Sequence, residues 1–423
     1  MLEFIRNLLW GPCTIAFIVV LAVMLVFKTN FRALRHPIRK LRETLFSSCK
    51  NHSSMEAMFT ALGGTIGVGN TIGVAGAIKE GGVGALFWMF IASFFGMIIK
   101  EAEIFLAVKF KDRSCAFSGP MFYIRDALGS KLLSKIWSIS CIFTAFGMGN
   151  FSQSMSCTNC ISETLKANKI ITSVFVASIL FISLMFGLVG IKKIVSSFVP
   201  ILSLIFIGST LIILLMNVDN LTSSIAQVFS EAFNFTNGII GIKWSLFVIS
   251  LREGFSRGIF TNEAGLGSSS IVHSSSNETT PEKQASWGVI EVFIDTTLIC
   301  MLTGLMIVSS DIDLASTDFE NITLNIFSSS LGKIGTGIYT VSTLFFAIAS
   351  MLAWFYYAEC AMQYLNFSNT TRKIVKYFFV IAAFFGGIIS AKSILLISDI
   401  FNAVMLLINI ITIFLISNQT KSN

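Results

Sequence analysis

The sequence predicts an all-α polytopic membrane protein in which two sets of five helices form an inverted repeat. Hydrophobic residues make up 54% of the chain, charged residues only 13%, and the mean hydropathy is +0.78. Soluble domains carry about twice that share of charged residues. Apolar runs of about twenty residues recur along the chain, and two glycine-rich interruptions lie five such runs apart.

Hydropathy and turn residues divide the chain into about eleven spans, each long enough to cross a bilayer as a helix. Outer-membrane barrels are excluded because their strands are alternating segments of only about ten residues. No stretch has the length or polarity of a separate soluble domain, so residues 1–423 are predicted to form one transmembrane domain. The predicted spans are 11–27, 56–78, 82–108, 135–158, 169–190, 193–216, 240–264, 285–309, 334–363, 373–390 and 393–417.

The first apolar run, from Cys13 to Phe27, is predicted to remain as an anchor helix (11–27) outside the repeat. No small-residue cleavage site follows this run, and a basic segment comes next. Those two features distinguish it from a removable signal peptide.

Lysines and arginines are distributed unevenly between the loops. Most of the 30 basic residues lie on the side that carries the loop from Lys28 to Lys50 and the stretch from Lys100 to Lys135. The positive-inside rule therefore predicts that these loops are cytoplasmic, with the N-terminus outside and the C-terminus inside a bacterial-type inner membrane. The net charge of +7 then indicates topology and contact with membrane lipid, and it does not indicate nucleic-acid binding.

Glycines interrupt two of the spans. The stretch 63–78, GGTIGVGNTIGVAGAI, contains six glycines, each of which costs a helix about 1 kcal/mol relative to alanine. The stretch 252–270, REGFSRGIFTNEAGLGSSS, contains four glycines and four charged residues. With the anchor helix set aside, the interrupted spans are the first and the sixth of ten. Because five is odd, the second set is reversed in the membrane, which predicts inverted repeats over 56–216 and 240–417.

The two interruptions are predicted to face a shared cavity near the middle of the membrane. Glycines let the chain leave the helix, so that free N–H groups attract a carboxylate and free C=O groups bind a cation. Irregular backbone is tolerated at this depth only around such a cavity. Close helix packing is the alternative, because Gly63 and Gly67, like Gly69 and Gly73, have small-xxx-small spacing. Packing explains the second, charged interruption less well.

Five short motifs, in order along nearly the whole chain, resemble the alanine or glycine:cation symporter family. They are WGP (10–12), GTIGVGNTIGVAGAIKEGGVGALFWMF (64–90), KEAEIFLAVKF (100–110), RGIFTNEAGLGSS (257–269) and WFYYAE (354–359). The fourth motif is the most specific, because few proteins combine charges and glycines in that order. The resemblance implies a leucine-transporter-like fold, with a 5+5 inverted repeat and one extra N-terminal helix.

The resemblance also implies a symporter that imports alanine or glycine by alternating access, with D-alanine and serine as further candidate substrates. One methylene changes a binding free energy by only about 1–3 kcal/mol, so the residues do not select among these amino acids. Trp354 is expected to cap the pocket. The implied substrate-binding residues are Thr65, Gly69, Asn70, Gln153, Gly258, Phe260, Asn262 and Trp354.

The resemblance implies coupling to an inward gradient of sodium or of protons, with sodium as the first candidate and without an organic cofactor. Family members carry two adjacent hydroxyl residues one helical turn before the tryptophan, and here these positions are Ala349 and Ser350. A hard cation needs several oxygen ligands. The missing hydroxyl therefore predicts either weaker binding of sodium or coupling to protons. The implied ion ligands are Thr65, Ile66, Val68 and Ser350.

Four charged residues inside or beside the predicted spans are candidates for a gate or a proton path: Arg257, Glu263, Glu291 and Asp295. Each has a structural alternative. Arg257 can form a helix-face pair with Glu253, and Glu263 can stabilise a helix end by hydrogen bonding. Glu291 and Asp295 share one helical face, which suits a cation path, unless Glu291 pairs with a basic residue elsewhere in the bundle.

Other function classes lack their characteristic residues. Intramembrane metalloproteases and serine hydrolases need histidines at defined spacings, and the three histidines here have no such spacing. We therefore predict no enzyme and no metal beyond the transported cation. A channel or an amino-acid sensor on the same fold is the alternative function, which saturable, gradient-driven uptake separates from a carrier. A monomer is the default oligomeric state.

Overall fold

The architecture comes from a computed structural model that describes residue 5 and residues 9–29, 52–112, 115–233, 240–278, 280–314, 316–389 and 392–420. The loop over 30–51, on which much of the predicted orientation depends, lies outside the described residues. Arg6, Arg113 and Lys421 lie outside them as well.

Every regular element in the described residues is a helix. In chain order the helices are α1 (Pro12–Lys28), α2 (His52–Thr65), α3 (Ile72–Gly81), α4 (Ala85–Lys109), α5 (Pro120–Asp126), α6 (Lys131–Phe146), α7 (Ser152–Leu165), α8 (Lys169–Leu184), α9 (Gly187–Met216), α10 (Val218–Ala232), α11 (Ile240–Asn262), α12 (Ser268–Ser274), α13 (Pro281–Val292), α14 (Met301–Ser309), α15 (Phe319–Tyr364), α16 (Asn369–Ile388) and α17 (Lys392–Leu415).

Helix is present at each of the predicted spans. By length and composition alone, five helical stretches of the described chain can cross a bilayer, and the bent pair of α2 and α3 makes a sixth when it is counted as one span. The five stretches are Lys131–Leu165, Gly187–Met216, Pro281–Ser309, Phe319–Tyr364 and Ser393–Leu415. Two further helices, α1 and α8, are apolar but shorter than these stretches.

The loops and short helices that connect the long helices lie at two ends of the molecule. At the first end, called the α10 end, the Val83 N–H donates to Glu231 of α10 over 3.0 Å, and Lys79 Nζ donates to the Thr317 carbonyl over 2.6 Å. At the second, called the α5 end, the Arg125 guanidinium of α5 lies 5.8 Å from the centre of the Tyr364 ring.

Both predicted interruptions are confirmed. After α2 ends at Thr65, a 3-10 turn at Val68–Asn70 leads into α3, and the two halves are bent by 62°. The second interruption separates α11 from α12. Its backbone has positive φ at Glu263 (54°), Gly265 (90°) and Gly267 (79°), which the two glycines adopt without strain.

Two wide helical turns that the sequence did not predict flank the centre of the molecule. A π-helical turn at Gly147–Phe151 joins α6 to α7, and another at Phe293–Cys300 joins α13 to α14. The first turn allows very close packing, because a methyl group added at Gly149 would lie 2.3 Å from Trp354 Cγ. Such turns are common at functional sites.

The two interrupted helices lie at the centre of the bundle. The helix α4 packs against α11 and α13, while α9 packs against α2 and α15. The helix α6 packs against α15 and α17, and α8 pairs with α16 on the outside. One large apolar cluster joins most of these helices, so the polar groups at the two interruptions are held by rigid neighbours.

Lys100 corrects part of the sequence analysis. The sequence pattern groups it with the basic loop residues, but it lies on α4 with its side chain fully buried. The charge-rich end of α4 therefore continues into the bundle, where Lys100 meets other polar side chains. No sequence pattern indicates this burial, because KEAE resembles an ordinary helix end at a membrane surface.

Candidate functional site

A cavity of about 370 Å³ lies between the two interruptions. It extends from the ends of α2 and α11 toward the α10 end, where it reaches the exposed side chains of Glu80 and Phe319. The predicted residues that line it are Thr65, Val68, Gly69, Gln153, Arg257, Phe260 and Glu263. The cavity therefore brings together residues from both repeats and opens at one end of the molecule.

At the first interruption, side-chain amides satisfy the free backbone N–H groups. The Gly67 N–H donates to Asn70 Oδ1 and the Val68 N–H donates to Gln153 Oε1, each over 3.1 Å. Gln153 comes from α7 and fits closely, since a methyl group added at Gly67 would lie 2.8 Å from its Oε1. Both acceptors are neutral, so an anionic ligand would be a stronger partner for these N–H groups.

At the second interruption, side chains bind the free carbonyl groups. Asn409 Nδ2 of α17 donates to the Gly265 carbonyl over 2.8 Å, and Trp137 Nε1 of α6 donates to the Leu266 carbonyl over 3.1 Å. All four residues are buried. The loop backbone is thus fixed by groups that do not face the cavity.

Glu263 is the residue of this loop that does face the cavity. Its Oε2 accepts a 2.5 Å hydrogen bond from the Ser268 hydroxyl, while its Oε1 has no hydrogen-bond partner within the described part of the chain. The side chain is 1% exposed. A buried carboxyl oxygen without a donor is costly, so Glu263 presents a strong acceptor to whatever occupies the cavity.

Four predicted substrate residues lie outside the cavity lining. Asn70 Nδ2 donates to Asp295 Oδ1 over 2.6 Å. Gly258 packs on α4, where an added methyl group would lie 2.9 Å from Ala92 Cβ. Asn262 turns back to accept the Ala264 N–H over 2.9 Å.

Trp354 is the fourth of these residues, and it does not cap the pocket. Its side chain is 0% exposed and packs against Gly149 of the π turn and edge-on against Tyr357, with ring centres 5.5 Å apart. The indole therefore packs against the π turn and Tyr357, and it is not part of the cavity lining.

The predicted ion ligands gather where α2 meets α15. Ser350 Oγ donates to the Gly64 carbonyl over 3.2 Å, and Thr65 Oγ1 donates to the Leu62 carbonyl over 3.2 Å. Val68 offers its carbonyl, which accepts from Thr71 Oγ1 over 3.3 Å. The side chain of Ile66 is fully buried and offers only its backbone. These hard oxygens suit a monovalent cation.

Arg257 and Glu253 do not form the helix-face pair that was one interpretation of the sequence. Glu253 accepts from its neighbour Arg252 over 2.7 Å, and Arg257 lies 3.9 Å from Glu80 of α3. Both pairs are partly exposed, so each contributes little to stability. The contact between Arg257 and Glu80 crosses the opening of the cavity at the α10 end.

Glu291 has the basic partner that one interpretation expected. Lys100 Nζ lies 3.4 Å from its Oε1, and His273 Nε2 lies 2.8 Å from its Oε2. The other ring nitrogen of His273, Nδ1, lies 2.8 Å from Gln284 Nε2. The amide oxygen of Gln284 accepts a hydrogen bond from the Ser276 hydroxyl. The His273 ring therefore bridges Glu291 and Gln284. All of these side chains are buried.

This buried network closes the molecule between the cavity and the α5 end. Lys100 Nζ also donates to Ser269 of α12 over 2.7 Å, so the ammonium group connects α4, α12 and α13. Asp295 is not part of the network's hydrogen bonds, since it accepts from Asn70 and from Thr296 Oγ1. Glu291 and Asp295 therefore have separate surroundings, although they share a helical face.

Several residues of the cavity wall were missed by sequence reasoning. They come from the π turn, from α7 and from α17, and they are Met148, Ser152, Leu395, Leu396, Ser398 and Asp399. The glycine, serine and asparagine residues of 147–154 were the only sequence signal for this part of the wall, and the sequence of α17 contained no such signal.

In the described residues, no group of histidine, cysteine and carboxylate side chains is suited to hold a metal ion.

A second cavity of about 150 Å³ adjoins the first at the α10 end. The two share Glu80, Arg257, Phe260 and Asp399, and the outer cavity adds Trp10 from the segment before α1. Together they form a route from the surface to the interrupted helices.

Known proteins resemble this chain along its length. The model of the sodium:alanine symporter family matches residues 1–423. The sodium/alanine symporter AgcS of Methanococcus maripaludis is 31% identical, covering 99% of this chain and 94% of AgcS. A Bacillus subtilis protein named probable sodium/glutamine symporter GlnT is 27% identical, covering 97% of this chain and 87% of GlnT.

The fold is also shared with a solved structure. MhsT in complex with L-phenylalanine aligns with a TM-score of 0.59 and 15% identity, covering 85% of this chain and 88% of MhsT. The predicted leucine-transporter-like fold is thereby confirmed. The family consists of transporters and not enzymes. This multi-pass membrane protein belongs to the sodium:alanine symporter family, whose members are sodium-coupled amino-acid symporters.

Proposed function

We propose that this protein imports alanine or glycine together with sodium by alternating access. D-Alanine and serine are further candidate substrates, and the proton is the alternative coupling ion. The observation that carries the proposal is the cavity between the two interruptions, which is open at the α10 end and closed toward the α5 end. Paired broken helices around one central cavity are typical of alternating-access carriers.

In this proposal, residues 1–423 form one transporter domain, with α1 as an extra helix and repeats over 56–216 and 240–417. The α10 end faces the outside and the α5 end faces the cytoplasm, in keeping with the basic loops. The cavity is then open to the outside, which is the state that accepts substrate.

The first interruption binds the substrate carboxylate. The carboxylate takes the Val68 N–H in place of Gln153 Oε1, and the Gln153 side chain turns to present its NH₂ group. Charge-assisted hydrogen bonds of this kind are about twice as strong as neutral ones. Gln153 thus keeps the N–H satisfied when the cavity is empty and becomes a ligand when it is filled.

The second interruption binds the opposite end of the zwitterion. The ammonium group approaches the unpartnered Oε1 of Glu263, and Phe260 limits the room for a side chain. A volume of about 370 Å³ is within the range of pockets that hold much larger ligands, about 300–1,000 Å³. The cavity must therefore contract around alanine before the α5 end opens.

Sodium binds beside the first interruption, between the end of α2 and α15. The Ser350 hydroxyl turns away from the Gly64 carbonyl so that both oxygens face the ion, and Thr65 with the carbonyls of Ile66 and Val68 supplies the others. Ala349 contributes no side-chain oxygen, so we expect a weak sodium affinity. Binding of the ion draws α2 toward α15 and links the cation to the shape of the cavity.

Uptake into liposomes tests the proposal. The purified protein is reconstituted, and labelled alanine uptake is measured with an inward sodium gradient alone, an inward proton gradient alone, or neither. We expect accumulation with the sodium gradient, and accumulation with only the proton gradient would identify the alternative coupling ion. Equal uptake without any gradient contradicts both versions and indicates a channel, whereas binding without uptake indicates a sensor.

A thermal-shift screen identifies the substrate in the same preparation. Glycine, both enantiomers of alanine, and serine are compared with and without sodium. A ligand at one hundred times its Kd adds about 2.7 kcal/mol to the free energy of unfolding. We expect the largest shift for the true substrate, and only when sodium is present.

A further inference from the structure

Trp10 lies outside both repeats, yet it reaches the opening of the substrate cavity. Its side chain belongs to the short segment before α1 and is half-buried. It lines the outer cavity beside Arg257 and Phe260. An anchor helix needs no such contact, because α1 is apolar and can hold itself in the membrane without it.

The Trp10 ring supports Phe260 directly. The two rings meet edge-to-face, with centres 6.2 Å apart, in the geometry that aromatic pairs prefer. Phe260 lies near the end of α11 and lines the inner cavity as well as the outer one. The position of the Phe260 ring, and with it the space for a substrate side chain, therefore depends on Trp10.

A hydrogen bond fixes the other edge of the Trp10 ring. The indole N–H donates to the Asp399 carbonyl of α17 over 3.2 Å. The helix α17 also supplies Leu396 and Ser398 to the inner cavity wall. Trp10 thus connects the end of α11 to α17 across the opening, and it does so through a backbone acceptor that no side-chain change at Asp399 removes.

The far end of α1 is tied to the same helix. Lys28 Nζ donates to Ser417 Oγ over 2.6 Å and to Asn418 Oδ1 over 3.1 Å, in the turn that follows α17. The two ends of α1 are therefore attached near the two ends of α17. Because of these two attachments, we expect α1, Trp10 and α17 to move together in any rearrangement of the bundle.

From these contacts we propose that Trp10 is a positioning residue that sets the side-chain size limit of the substrate cavity through Phe260. The inference rests on the proposed function. The extra N-terminal helix is then part of the gate at the α10 end and not an anchor alone. Without the indole, the Phe260 ring tilts into the outer cavity, alanine loses its apolar contact, and longer neutral side chains gain room.

Kinetics of two graded variants test the proposal. Trp10→Phe keeps an aromatic ring but loses the N–H donor, and Trp10→Ala loses both. We expect KM for alanine to rise about threefold in Trp10→Phe and about tenfold in Trp10→Ala, in line with the strength of an aromatic pair plus one hydrogen bond. The maximal rate per folded transporter should stay within about twofold of wild type.

Competition by longer amino acids separates positioning from a merely structural role. Inhibition of alanine uptake by threonine, leucine or glutamine should be stronger in Trp10→Ala than in wild type. Val20→Ala is the matched control on α1, because Val20 is 55% exposed and should leave KM and competition unchanged. A fall in protein yield and rate with unchanged KM and unchanged competition overturns the proposal.

Thiol labelling gives a readout that does not need transport. The reporter Ser256→Cys lines the outer cavity and is introduced after Cys13, Cys49 and Cys115 are replaced by serine. We expect faster labelling with Trp10→Ala than with Trp10, because the opening is no longer braced, and equal rates overturn the proposal. If the wild type takes up no alanine under any gradient, the proposed function fails, and the labelling rates still decide the role of Trp10.

Discussion

The two interruptions leave opposite kinds of backbone group without a helical hydrogen bond. At the first, free N–H groups are satisfied by the side-chain amides of Asn70 and Gln153. At the second, free carbonyls are satisfied by the donors Asn409 and Trp137. Gln153 faces the cavity and can be replaced by a ligand, whereas the two donors at the second interruption are enclosed in the bundle.

This difference suggests a division of roles between the repeats. In the proposed function, the first interruption exchanges partners when a substrate binds, and the second holds its shape while presenting Glu263. Changes around the second interruption should therefore affect stability first, and changes at the first should affect binding. The following predictions test that division, in order of expected size.

Lys100→Met should have the largest effect. The substitution leaves Glu291 without its ammonium partner and removes the bond that holds α12 to α4. Breaking one side of a buried pair costs about 3–5 kcal/mol, so we expect a marked loss of protein yield and of melting temperature in detergent. Lys109→Met is the control on the same helix, since Lys109 is exposed and should cost less than about 0.5 kcal/mol. Equal behaviour of the two variants would contradict the structural role of Lys100.

Asn409→Leu should come next. Its Nδ2 donates to the Gly265 carbonyl and to Glu103, and its Oδ1 accepts from Tyr123. Each buried group left without a partner costs about 1–3 kcal/mol. We expect a lower melting temperature with an unchanged KM per folded transporter. Asn321→Leu is the control, because Asn321 donates to Glu163 in an exposed hydrogen bond. A raised KM in Asn409→Leu would instead place Asn409 in substrate binding.

Gln153→Ala should act on binding with little effect on stability. It removes the acceptor of the Val68 N–H, but water from the open cavity can replace it. Losing a hydrogen bond to a charged substrate group costs about 1.5–3 kcal/mol, so KM for alanine should rise at least about tenfold. Ser154→Ala is the control, because Ser154 bonds the Ala383 carbonyl away from the cavity. The division of roles fails if Gln153→Ala lowers the melting temperature as much as Asn409→Leu and leaves KM unchanged.

Ala349→Ser should have the smallest effect. It adds a hydroxyl beside Ser350, near the end of α2, and so supplies one more hard oxygen. We expect the sodium concentration for half-maximal uptake to fall about threefold, which is less than 1 kcal/mol. Ala361→Ser, three turns further along α15 and also buried, is the control. No change in sodium dependence would indicate that the ion does not bind at this position.

The sequence predicted the positions of the helices and both interruptions, because hydropathy and glycine are local signals. The face that each side chain presents was less predictable. The π turn at Gly147–Phe151 adds a residue to one helical turn and so rotates everything after it. That turn brings α15 close enough to bury Trp354 on Gly149. No pattern of spacing shows such an insertion.

The burial of charged side chains was also not predictable from the sequence. Lys100 resembles a loop residue in KEAE, and its partner Glu291 lies on a different helix nearly two hundred positions away. Only the packing of α4 against α13 reveals that the two belong together. Glu263, by contrast, was identified as a candidate because a charge beside glycines within a span is unusual at the level of sequence.

The backbone conformation at Glu263 lowers the thermal stability of this protein. A left-handed conformation costs a residue with a side chain about 1–2 kcal/mol, and Glu263 adopts one at φ 54°. A glycine at that position would raise thermal tolerance but would delete the only carboxylate side chain that the second interruption presents to the central cavity. Thermostabilised variants selected for structural work should therefore be screened for changes at this position, since a gain there is expected to come with a loss of transport.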